Sequence, residues 1–254
     1  MIYILLLLLK FMRVALYNQM FGMNGKNLFS FLLAHYRVHF YNTKTKVVKG
    51  VYLDKTIETI KKADADIIGI TEILEGQEIR LKKMLNKLGY KYIFFEKGHK
   101  SQVRKLYINI AIASKLKCEK IKIEGFPVKH EMGGGGGIIN CYFPSIKTNL
   151  INLHLALSRK RINSKQIKFI ISYLSKLKNK IILMGDFNLS NRKLRRRFKY
   201  LSFISEGIKT CPITYGIGFL RNDIDHIFVR GYKKTGIGEI TGNSDHKLIY
   251  ADII

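Results

Sequence analysis

Two short motifs in the sequence place a carboxylate close to an asparagine or a histidine beside apolar, strand-like segments. Gly185-Asp-Phe-Asn188 follows the apolar run 181–184, and Ser244-Asp-His246 precedes the apolar segment that ends the chain. Strand ends are rigid positions beside loops, and catalytic groups are often displayed there. Carboxylate oxygens bind hard cations, an amide can position a phosphate, and an imidazole can carry a proton. The two motifs therefore predict metal-assisted hydrolysis of a phosphoester.

Other polar residues lie at equivalent positions beside predicted strands. Asn18, Glu72 and His154 each follow a strand-like segment, and Asp225 begins one. A single aspartate at a strand end is often only a turn residue. Turns alone do not readily explain why such positions recur on one side of several strands. We therefore expect these residues and the two motifs to form one site.

The elements that must position these residues alternate between strands and helices. Apolar segments predict strands at 13–17, 66–71, 92–96, 108–114, 120–124, 138–143, 149–153, 180–184, 225–230 and 247–253. Apolar residues at helical spacing predict helices at 55–62, 75–88 and 162–177. Several consecutive strands lie between the helices, and this order favours an α/β sandwich of mixed sheets covered by helices.

Residues 12–254 are predicted to form one domain, because no linker rich in proline, glycine and serine divides them. Residues 1–11 form an apolar N-terminal extension, too short for a bilayer span of about 20 apolar residues. We expect this extension to be dispensable, and contact with a membrane surface is the less favoured alternative. Residues 27–50 are predicted to be an insertion that contains an extra helix packed on the core.

The charge of the chain is strongly positive, with 45 lysines and arginines against 18 aspartates and glutamates and a formal net charge of +27. Such a balance favours polyanionic partners, which include nucleic acid, an anionic membrane surface and phosphorylated substrates. A genome-wide bias toward lysine is the alternative explanation. The three cysteines have no spacing typical of a zinc cluster or a disulfide framework, so we expect a reducing, cytoplasmic environment.

Two arginine-rich clusters follow candidate catalytic loops directly. The run 192–199 comes after the Gly-Asp-Phe-Asn motif, and the run 159–161 comes after His154. A charge run is usually a solvated helix face, but a lysine bias alone does not concentrate arginine beside two such loops. Contact with the phosphates of a polyanionic substrate is therefore the favoured interpretation. The residues assigned to it are Arg159, Arg161, Arg192 and Arg195.

The candidate residues, taken in chain order, resemble the motif set of the endonuclease/exonuclease/phosphatase superfamily. The segments that carry the resemblance are Tyr17-Asn18, Thr71-Glu72, 109–114, Asn152-Leu-His154, Gly185-Asp-Phe-Asn188, 225–229 and Ser244-Asp-His246. The resemblance extends from about Met12 to the C-terminus. It implies the deoxyribonuclease I-like fold, which is a four-layer sandwich of two packed mixed sheets flanked by helices.

The resemblance also implies a Mg²⁺ or Mn²⁺ ion as cofactor. Glu72 would be its principal carboxylate ligand, with Asn18 beside it and Asp245 as a further ligand. Asn109 would belong to the residues that contact the substrate phosphate.

The roles implied for the catalytic residues are those of a metal-assisted phosphodiesterase. Asp186 would orient or deprotonate the attacking water, and Asn188 would hold the phosphate and that water in line. His246 would donate to the phosphoryl oxygens while Asp225 fixes its tautomer, and His154 would be a second imidazole at the scissile phosphate. A carboxylate bonded to an imidazole favours its protonated form, in agreement with these roles. His226 is left out of the site because it points to the opposite face of its strand.

The sequence departs from one branch of the superfamily. His154 stands where apurinic-site endonucleases typically carry tyrosine, and the chain has no tryptophan. Both features favour the branch with two active-site histidines, which includes non-specific nucleases, sphingomyelinase-like lipid hydrolases and inositol-polyphosphate phosphatases.

The favoured hypothesis is therefore a metal-dependent phosphodiester hydrolase, a nuclease that acts on DNA or RNA by in-line attack of water. Phospholipid or small-phosphoester hydrolysis is the second alternative, with residues 1–11 in contact with a membrane. The third is a non-catalytic nucleic-acid-binding protein, against which the full set of catalytic residues argues. No protein partner can be inferred from the sequence.

Overall fold

The computed structural model describes residues 11–39, 51–98, 100, 106–128, 136–156, 160–204 and 223–254. Within these residues the strands form two six-stranded sheets, which pack face to face with helices on their outer faces. This is the predicted α/β sandwich of two mixed sheets, and the predicted fold class is confirmed.

The first sheet brings together the two ends of the chain. Its strands are β1 (Met12–Asn18), β2 (Ile67–Leu74), β3 (Tyr92–Glu96), β4 (Ile108–Ser114), β11 (Lys234–Thr241) and β12 (Lys247–Ile253). They lie in the order β11-β12-β1-β2-β4-β3. β1 and β2 are parallel and the other neighbouring pairs are antiparallel.

The second sheet is built from the middle of the chain. Its strands are β5 (Glu119–Ile121), β6 (Gly137–Phe143), β7 (Thr148–His154), β8 (Lys180–Asp186), β9 (Ser202–Phe203) and β10 (Asp225–Arg230). They lie in the order β5-β6-β7-β8-β10-β9. β7 and β8 are parallel, so this sheet repeats the pattern of the first: one parallel pair among antiparallel neighbours.

The helices cover the outer faces of the sheets and one end of the sandwich. They are α1 (Leu28–His39), α2 (Leu53–Ala63), α3 (Glu78–Lys87), α4 (Lys160–Ser175) and α5 (Asn191–Arg195). α2 and α3 pack Ile60 and Leu85 on the first sheet. α4 and α5 pack Ile170 and Leu194 on the second sheet. Each sheet is therefore apolar on both faces, which explains why its central strands read as nearly continuous apolar runs.

The main core lies between the two sheets. Successive side chains of a strand point to opposite faces, so alternate residues such as Leu16, Ile112 and Ile182 meet in this layer. Cys118 and Cys141 are buried in the same layer as free thiols, in agreement with the expectation for small apolar residues. Cys211 lies outside the described residues.

The predicted bounds agree with the observed ones for the most apolar strands and differ where local turns intervene. The strands at 92–96, 108–114, 225–230 and 247–253 have the predicted bounds. The helix predicted at 75–88 begins only at Glu78, because Gly76 adopts a left-handed conformation with φ of 97°. β11 was not predicted, since its glycine-rich, largely exposed sequence lacks an apolar alternation.

The insertion predicted at 27–50 contains helix α1, and residues 40–50 lie outside the described part, as do residues 1–10. α1 packs on the core through Ala34, which contacts the buried cluster around Met20 and Phe21. Its opposite face carries Phe29, Leu32 and Tyr36, which are 77%, 56% and 61% exposed. The expectation of a core-packing helix therefore holds for one face only. Among the described helices, none combines the length and the apolar character needed to cross a bilayer.

Candidate active site

The strand directions explain why the candidate residues converge at one edge of the sandwich. The parallel strands β1 and β2 end at this edge, as do β7 and β8, whereas their antiparallel neighbours β12 and β10 begin there. A residue at the end of one strand thus meets a residue at the start of the next. The residues collected in this way are Asn18, Glu72, His154, Asp186, Asp225, Asp245 and His246.

A buried aspartate–histidine pair lies at the centre of the site. Nδ1 of His246 is 2.6 Å from Oδ2 of Asp225, and both side chains are buried. The bond leaves Nε2 of His246 directed toward Asn18, whose Nδ2 is 3.4 Å away. A carboxylate on one ring nitrogen sets which nitrogen carries the proton and orients the ring. The pair has the geometry predicted for an oriented imidazole.

Asp186 is the carboxylate that faces both imidazoles. Its Oδ2 accepts a hydrogen bond from Nδ2 of Asn18 at 3.0 Å, and its Oδ1 accepts one from the backbone N–H of Asn188 at 2.8 Å. Nε2 of His154 is 3.6 Å from Oδ2 of Asp186, and Nε2 of His246 is 4.0 Å from it. Burial raises the pKa of Asp186 to about 7, and the charge of Asp225 adds to the effect. The carboxyl therefore binds its proton more strongly than an exposed aspartate does.

Glu72 enters the site from an irregularity in β2. The register between β2 and β4 shifts between Ile70 and Ile73, and Glu72 has a left-handed backbone with φ of 57°. Such a bulge redirects one side chain relative to the regular alternation of the strand. Oε1 of Glu72 lies 3.8 Å from Nε2 of His154. Burial raises the pKa of Glu72, and the charges of Asp245 and Asp186 oppose ionisation further.

His154 is neutral in this environment, because its pKa lies below the usual value of an imidazole. Burial lowers the pKa of the imidazole, and the carboxylate of Glu72 only partly opposes that shift. Its Nδ1 has no hydrogen-bond partner within the described part of the chain. A neutral imidazole beside two carboxylates can serve as a metal ligand or as a hydrogen-bond donor to a phosphoryl oxygen.

The donor set fits a divalent cation. Ligand atoms of Glu72, His154 and Asp186 lie within 4.8 Å of one another, and those of Asp186, Asp225 and His246 form a second such group. Burial also raises the pKa of Asp245, which is the next carboxylate of the cluster. Several buried carboxylates that resist ionisation together are stabilised when a cation offsets their charge.

The predicted ligand set is Asn18, Glu72 and Asp245, and all three residues belong to this cluster. Oδ1 of Asn18 accepts the backbone N–H of Met20 at 3.0 Å, while its amide nitrogen binds Asp186. Oδ2 of Asp245 lies 3.8 Å from Nε2 of His246. The ligand atoms closest to Glu72 also include those of His154 and Asp186. The roles of these residues toward a metal remain predictions.

The Gly-Asp-Phe-Asn motif forms a tight turn that its residue types explain. Gly185 has φ of 151°, and a Cβ atom there would lie 2.1 Å from the carbonyl oxygen of Leu153. Asn188 has φ of 50°, a left-handed conformation that asparagine tolerates better than most residues. Its Nδ2 donates to the carbonyl oxygen of Leu155 at 2.8 Å. The amide nitrogen of Asn188 thus fixes the loop, and its predicted role toward phosphate would fall to the rest of the side chain.

The structure describes the side chains of three of the five residues predicted to contact the substrate phosphate. Asn109 lies in β4 opposite Ile73, the residue after Glu72, and its Nδ2 donates to Oε1 of Glu78 in a part-buried pair. Arg192 and Arg195 lie on α5 with exposed side chains, and Arg192 lines a cavity together with Asn188. Arg159 lies outside the described residues, and the side chain of Arg161 is not described either.

His226 lies on the opposite face of β10, as predicted. Its Nε2 is 2.8 Å from the carbonyl oxygen of Leu189, and its ring packs against Phe187 and Phe228. Burial lowers the pKa of His226 to about 4, so the imidazole is neutral at physiological pH. It supports the loop after β8 from behind the site.

Asn152 is a supporting residue whose role was not predicted. It is fully buried between the sheets, and its Nδ2 donates to the carbonyl oxygens of Ile70 and Ala111 at 3.2 and 2.9 Å. These carbonyls flank the irregular pairing of β2 and β4 that displays Glu72. Asn152 therefore links the two sheets beside the bulge. The signals in the sequence are its place in the motif Asn152-Leu-His154 and a polar amide in the otherwise apolar run 150–153.

Comparison with known proteins places this geometry in a recognised group. The sequence profile of the endonuclease/exonuclease/phosphatase family matches residues 50–246 of the chain. A search of curated protein sequences finds no match.

Solved structures with the same fold include proteins from distant organisms. An endonuclease/exonuclease/phosphatase from Beutenbergia cavernae DSM 12333 has a TM-score of 0.73 and 12% identity, covering 96% of this chain and 71% of that chain. The human Nocturnin catalytic domain with bound sulfate has a TM-score of 0.63 and 13% identity, covering 96% of each chain. D. rerio TDP2 complexed with a single-strand DNA product has a TM-score of 0.60 and 15% identity, covering 96% of this chain and 99% of that one. At these identities the similarity establishes the fold alone.

Proposed function

The chain belongs to the endonuclease/exonuclease/phosphatase family, and we propose that it is a metal-dependent phosphodiesterase that acts as a nuclease on DNA or RNA. One observation carries the proposal: Oδ2 of Asp186 lies within 4.0 Å of Nε2 of both His154 and His246 in a buried cluster rich in carboxylates. Phosphodiester hydrolysis requires charge neutralisation and alignment at one point, and this cluster can supply both.

The proposed cofactor is a Mg²⁺ or Mn²⁺ ion. Glu72 would be its principal carboxylate ligand, with Asn18 beside it and Asp245 as a further ligand. A hard cation of this kind neutralises phosphoryl charge and lowers the pKa of bound water.

The residues of the chain itself would orient the reaction. Asp186, whose pKa burial raises above the usual range of a carboxyl, would accept a proton from the attacking water. His246, oriented by the 2.6 Å bond to Asp225, would donate a hydrogen bond to a phosphoryl oxygen through Nε2. Asn188 would hold the loop that carries Asp186 in place, because its backbone N–H and its Nδ2 each make a hydrogen bond there.

Nucleic acid is the proposed substrate because of the charge of the chain. A formal net charge of +27 attracts polyanions over long range, and arginines of α5 lie beside the loop of Asn188. The structural similarity to D. rerio TDP2, solved with a single-strand DNA product, is compatible with this choice of substrate.

A substrate panel tests the proposal. Labelled single-stranded DNA, duplex DNA, RNA, sphingomyelin and bis(p-nitrophenyl) phosphate are incubated with the full chain in Mg²⁺, Mn²⁺ or EDTA. Metal-dependent cleavage of a polynucleotide is expected, with losses on the order of 10² or more for Asp186→Asn and His246→Ala. Glu58→Gln is the control, because Glu58 is exposed on α2. Activity of both variants within a few fold of the wild type would refute the assignment.

Phospholipid hydrolysis is a second candidate that one observation favours. Phe29, Leu32 and Tyr36 form an exposed apolar stripe on α1, and such a stripe on a basic protein can bind an anionic membrane surface. Cleavage confined to sphingomyelin in the panel, together with liposome sedimentation that Phe29→Ser and Leu32→Ser abolish, would favour this candidate over the nuclease.

A further inference from the structure

A cavity of about 710 Å³ lies beside the candidate active site, between the first turn of α4 and the basic segment around α5. We call it the arginine cavity. Its walls include Asn163 and Ile167 from α4, Asn188 from the catalytic loop, and Arg192, Arg196 and Arg197. Asn188 connects the cavity to the active site, because its backbone N–H donates to Asp186 at 2.8 Å. The volume is in the range typical of small-molecule sites, which is roughly 300–1,000 Å³.

Asn163 is a buried amide without a partner. Its side chain is 2% exposed, and within the described part of the chain neither Nδ2 nor Oδ1 has a hydrogen-bond partner. An unsatisfied buried amide lowers the stability of the fold, so such a group in a cavity wall indicates a ligand that completes it. Because both a donor and an acceptor are free, the matching ligand presents an acceptor and a donor side by side. The edge of a nucleobase has this pattern.

Another part of the cavity wall is cationic. Arg192, Arg196 and Arg197 are exposed, and in the described residues no carboxylate pairs with any of them. The N-terminal turn of α4, which carries Asn163, adds the positive end of a sixteen-residue helix. Guanidinium groups bind phosphate through paired hydrogen bonds as well as charge. A ligand that carries a phosphate next to a base satisfies both parts of the wall.

We propose that the arginine cavity binds the nucleotide next to the scissile phosphate of a single-stranded nucleic acid. The arginines contact its phosphate, and the amide of Asn163 pairs with the base edge. This inference rests on the proposed nuclease function and adds a strand preference to it. A base enters such a cavity only when it is unpaired and unstacked, so single strands bind better than duplex.

Binding without turnover tests the cavity separately from catalysis. Fluorescence anisotropy of the full chain with a 5′-fluorescein oligodeoxynucleotide in EDTA gives Kd at several salt concentrations. Arg196→Ser/Arg197→Ser is expected to weaken binding at least tenfold and to reduce the salt slope by about 0.7 for each phosphate that the arginines no longer neutralise. The matched control is Lys165→Ser/Lys168→Ser, which removes the same charge from exposed positions of α4 outside the cavity. An equal decrease in affinity in this control would show that only the total positive charge matters, and it would overturn the proposal.

Asn163→Ala distinguishes binding from a structural role. It is expected to raise Kd for single strands about fivefold or more, as when an amide no longer pairs with a base edge, and to leave Kd for duplex unchanged. The midpoint of urea unfolding should not fall, because the variant removes an unsatisfied amide. A destabilised Asn163→Ala with unchanged Kd, or a wild type that binds duplex and single strand equally, would refute the proposal.

Turnover separates failure of the inference from failure of the proposed function. The decrease that Arg196→Ser/Arg197→Ser causes in kcat/KM should be at least tenfold larger on the oligonucleotide than on bis(p-nitrophenyl) phosphate, which has no neighbouring nucleotide. Equal decreases on both substrates would overturn the cavity assignment while leaving the phosphodiesterase intact. A wild type that binds the oligonucleotide through the cavity but hydrolyses neither substrate would refute the proposed function and support binding by the cavity.

Discussion

Asp225→Asn is the substitution that most directly tests the proposed site. Asp225 is buried, and its Oδ2 lies 2.6 Å from Nδ1 of His246. Asparagine has nearly the same shape and keeps an oxygen that can accept the same hydrogen bond. The substitution therefore removes the charge of the pair while preserving its packing, and any decrease in activity reports on electrostatics and orientation.

The size of the effect follows from the kind of bond that is weakened. A buried hydrogen bond to a charged group contributes about 1.5–3 kcal/mol. If the bond is worth that much in the transition state, kcat/KM falls about 10- to 150-fold, since each 1.36 kcal/mol is a factor of ten. In Asp225→Ala, kcat/KM should fall further, because this variant also leaves the ring of His246 without an acceptor at Nδ1.

The same substitution also changes the pKa of Asp186. Burial raises the pKa of Asp186 to about 7, and the charge of Asp225 contributes to that rise. Removing the charge in Asp225→Asn lowers the pKa of Asp186, so its reactive carboxylate form persists to lower pH. The acid limb of kcat/KM should therefore move to lower pH even though the maximum rate falls.

The assay is the pH dependence of kcat/KM on bis(p-nitrophenyl) phosphate at saturating Mg²⁺ for the wild type, Asp225→Asn and the exposed control Glu58→Gln. The expected result is a reduced maximum together with an acid limb displaced toward lower pH in Asp225→Asn alone. A full maximum rate would show that the Asp225–His246 bond does not act in the reaction. A reduced rate with the acid limb displaced to higher pH would refute the electrostatic coupling to Asp186.

The remaining predictions concern stability and metal binding. Because the pKa of Asp186 rises from 3.8 to about 7 on folding, the metal-free protein should lose stability as pH increases from about 4 to about 7. Asp186→Asn should remove that decrease in urea titrations, and an unchanged pH profile would contradict the shift. Glu72→Gln should raise the Mg²⁺ concentration for half-maximal activity at least about tenfold, and an unchanged titration would exclude Glu72 as a ligand. Gly185→Ala should cost more than about 1 kcal/mol of unfolding free energy, because φ of 151° and the nearby oxygen of Leu153 leave no room for Cβ, and wild-type stability would contradict that geometry.

Much of the fold could be predicted because its information is local. Apolar segments long enough to be buried on both faces define strands such as 108–114 and 247–253, and the structure has them at these bounds. β11 escaped prediction because it lies at a sheet edge, where pairing with β12 rather than an apolar pattern stabilises it. Helix α1 was predicted, but the exposure of its residue Phe29 was not, because exposure depends on which other elements pack nearby.

Most residues of the candidate site could also be predicted from short stretches of sequence. The motifs Gly-Asp-Phe-Asn and Ser-Asp-His can be recognised in the sequence alone. Each combines residues that favour a tight turn with residues that can do chemistry, next to a strand. Their partners Asn18, Glu72 and His154 could be selected only as members of an ordered set. The position of Asn152 in an apolar run could not show that it supports the bulge of β2 from the opposite sheet, since that contact joins residues 82 positions apart.

By itself the sequence determined which residue types stand at strand ends, where most of the central strands lie, and how strongly the chain attracts anions. Only the tertiary structure decided which carboxylates lie beside which imidazoles, which of them have a raised pKa, and that an unpaired amide and three arginines line one cavity. The physical reason is the distance along the chain over which each interaction acts. Propensity, alternation and turn chemistry act over a few residues, whereas burial and electrostatic coupling depend on distances that exist only after distant strands pair.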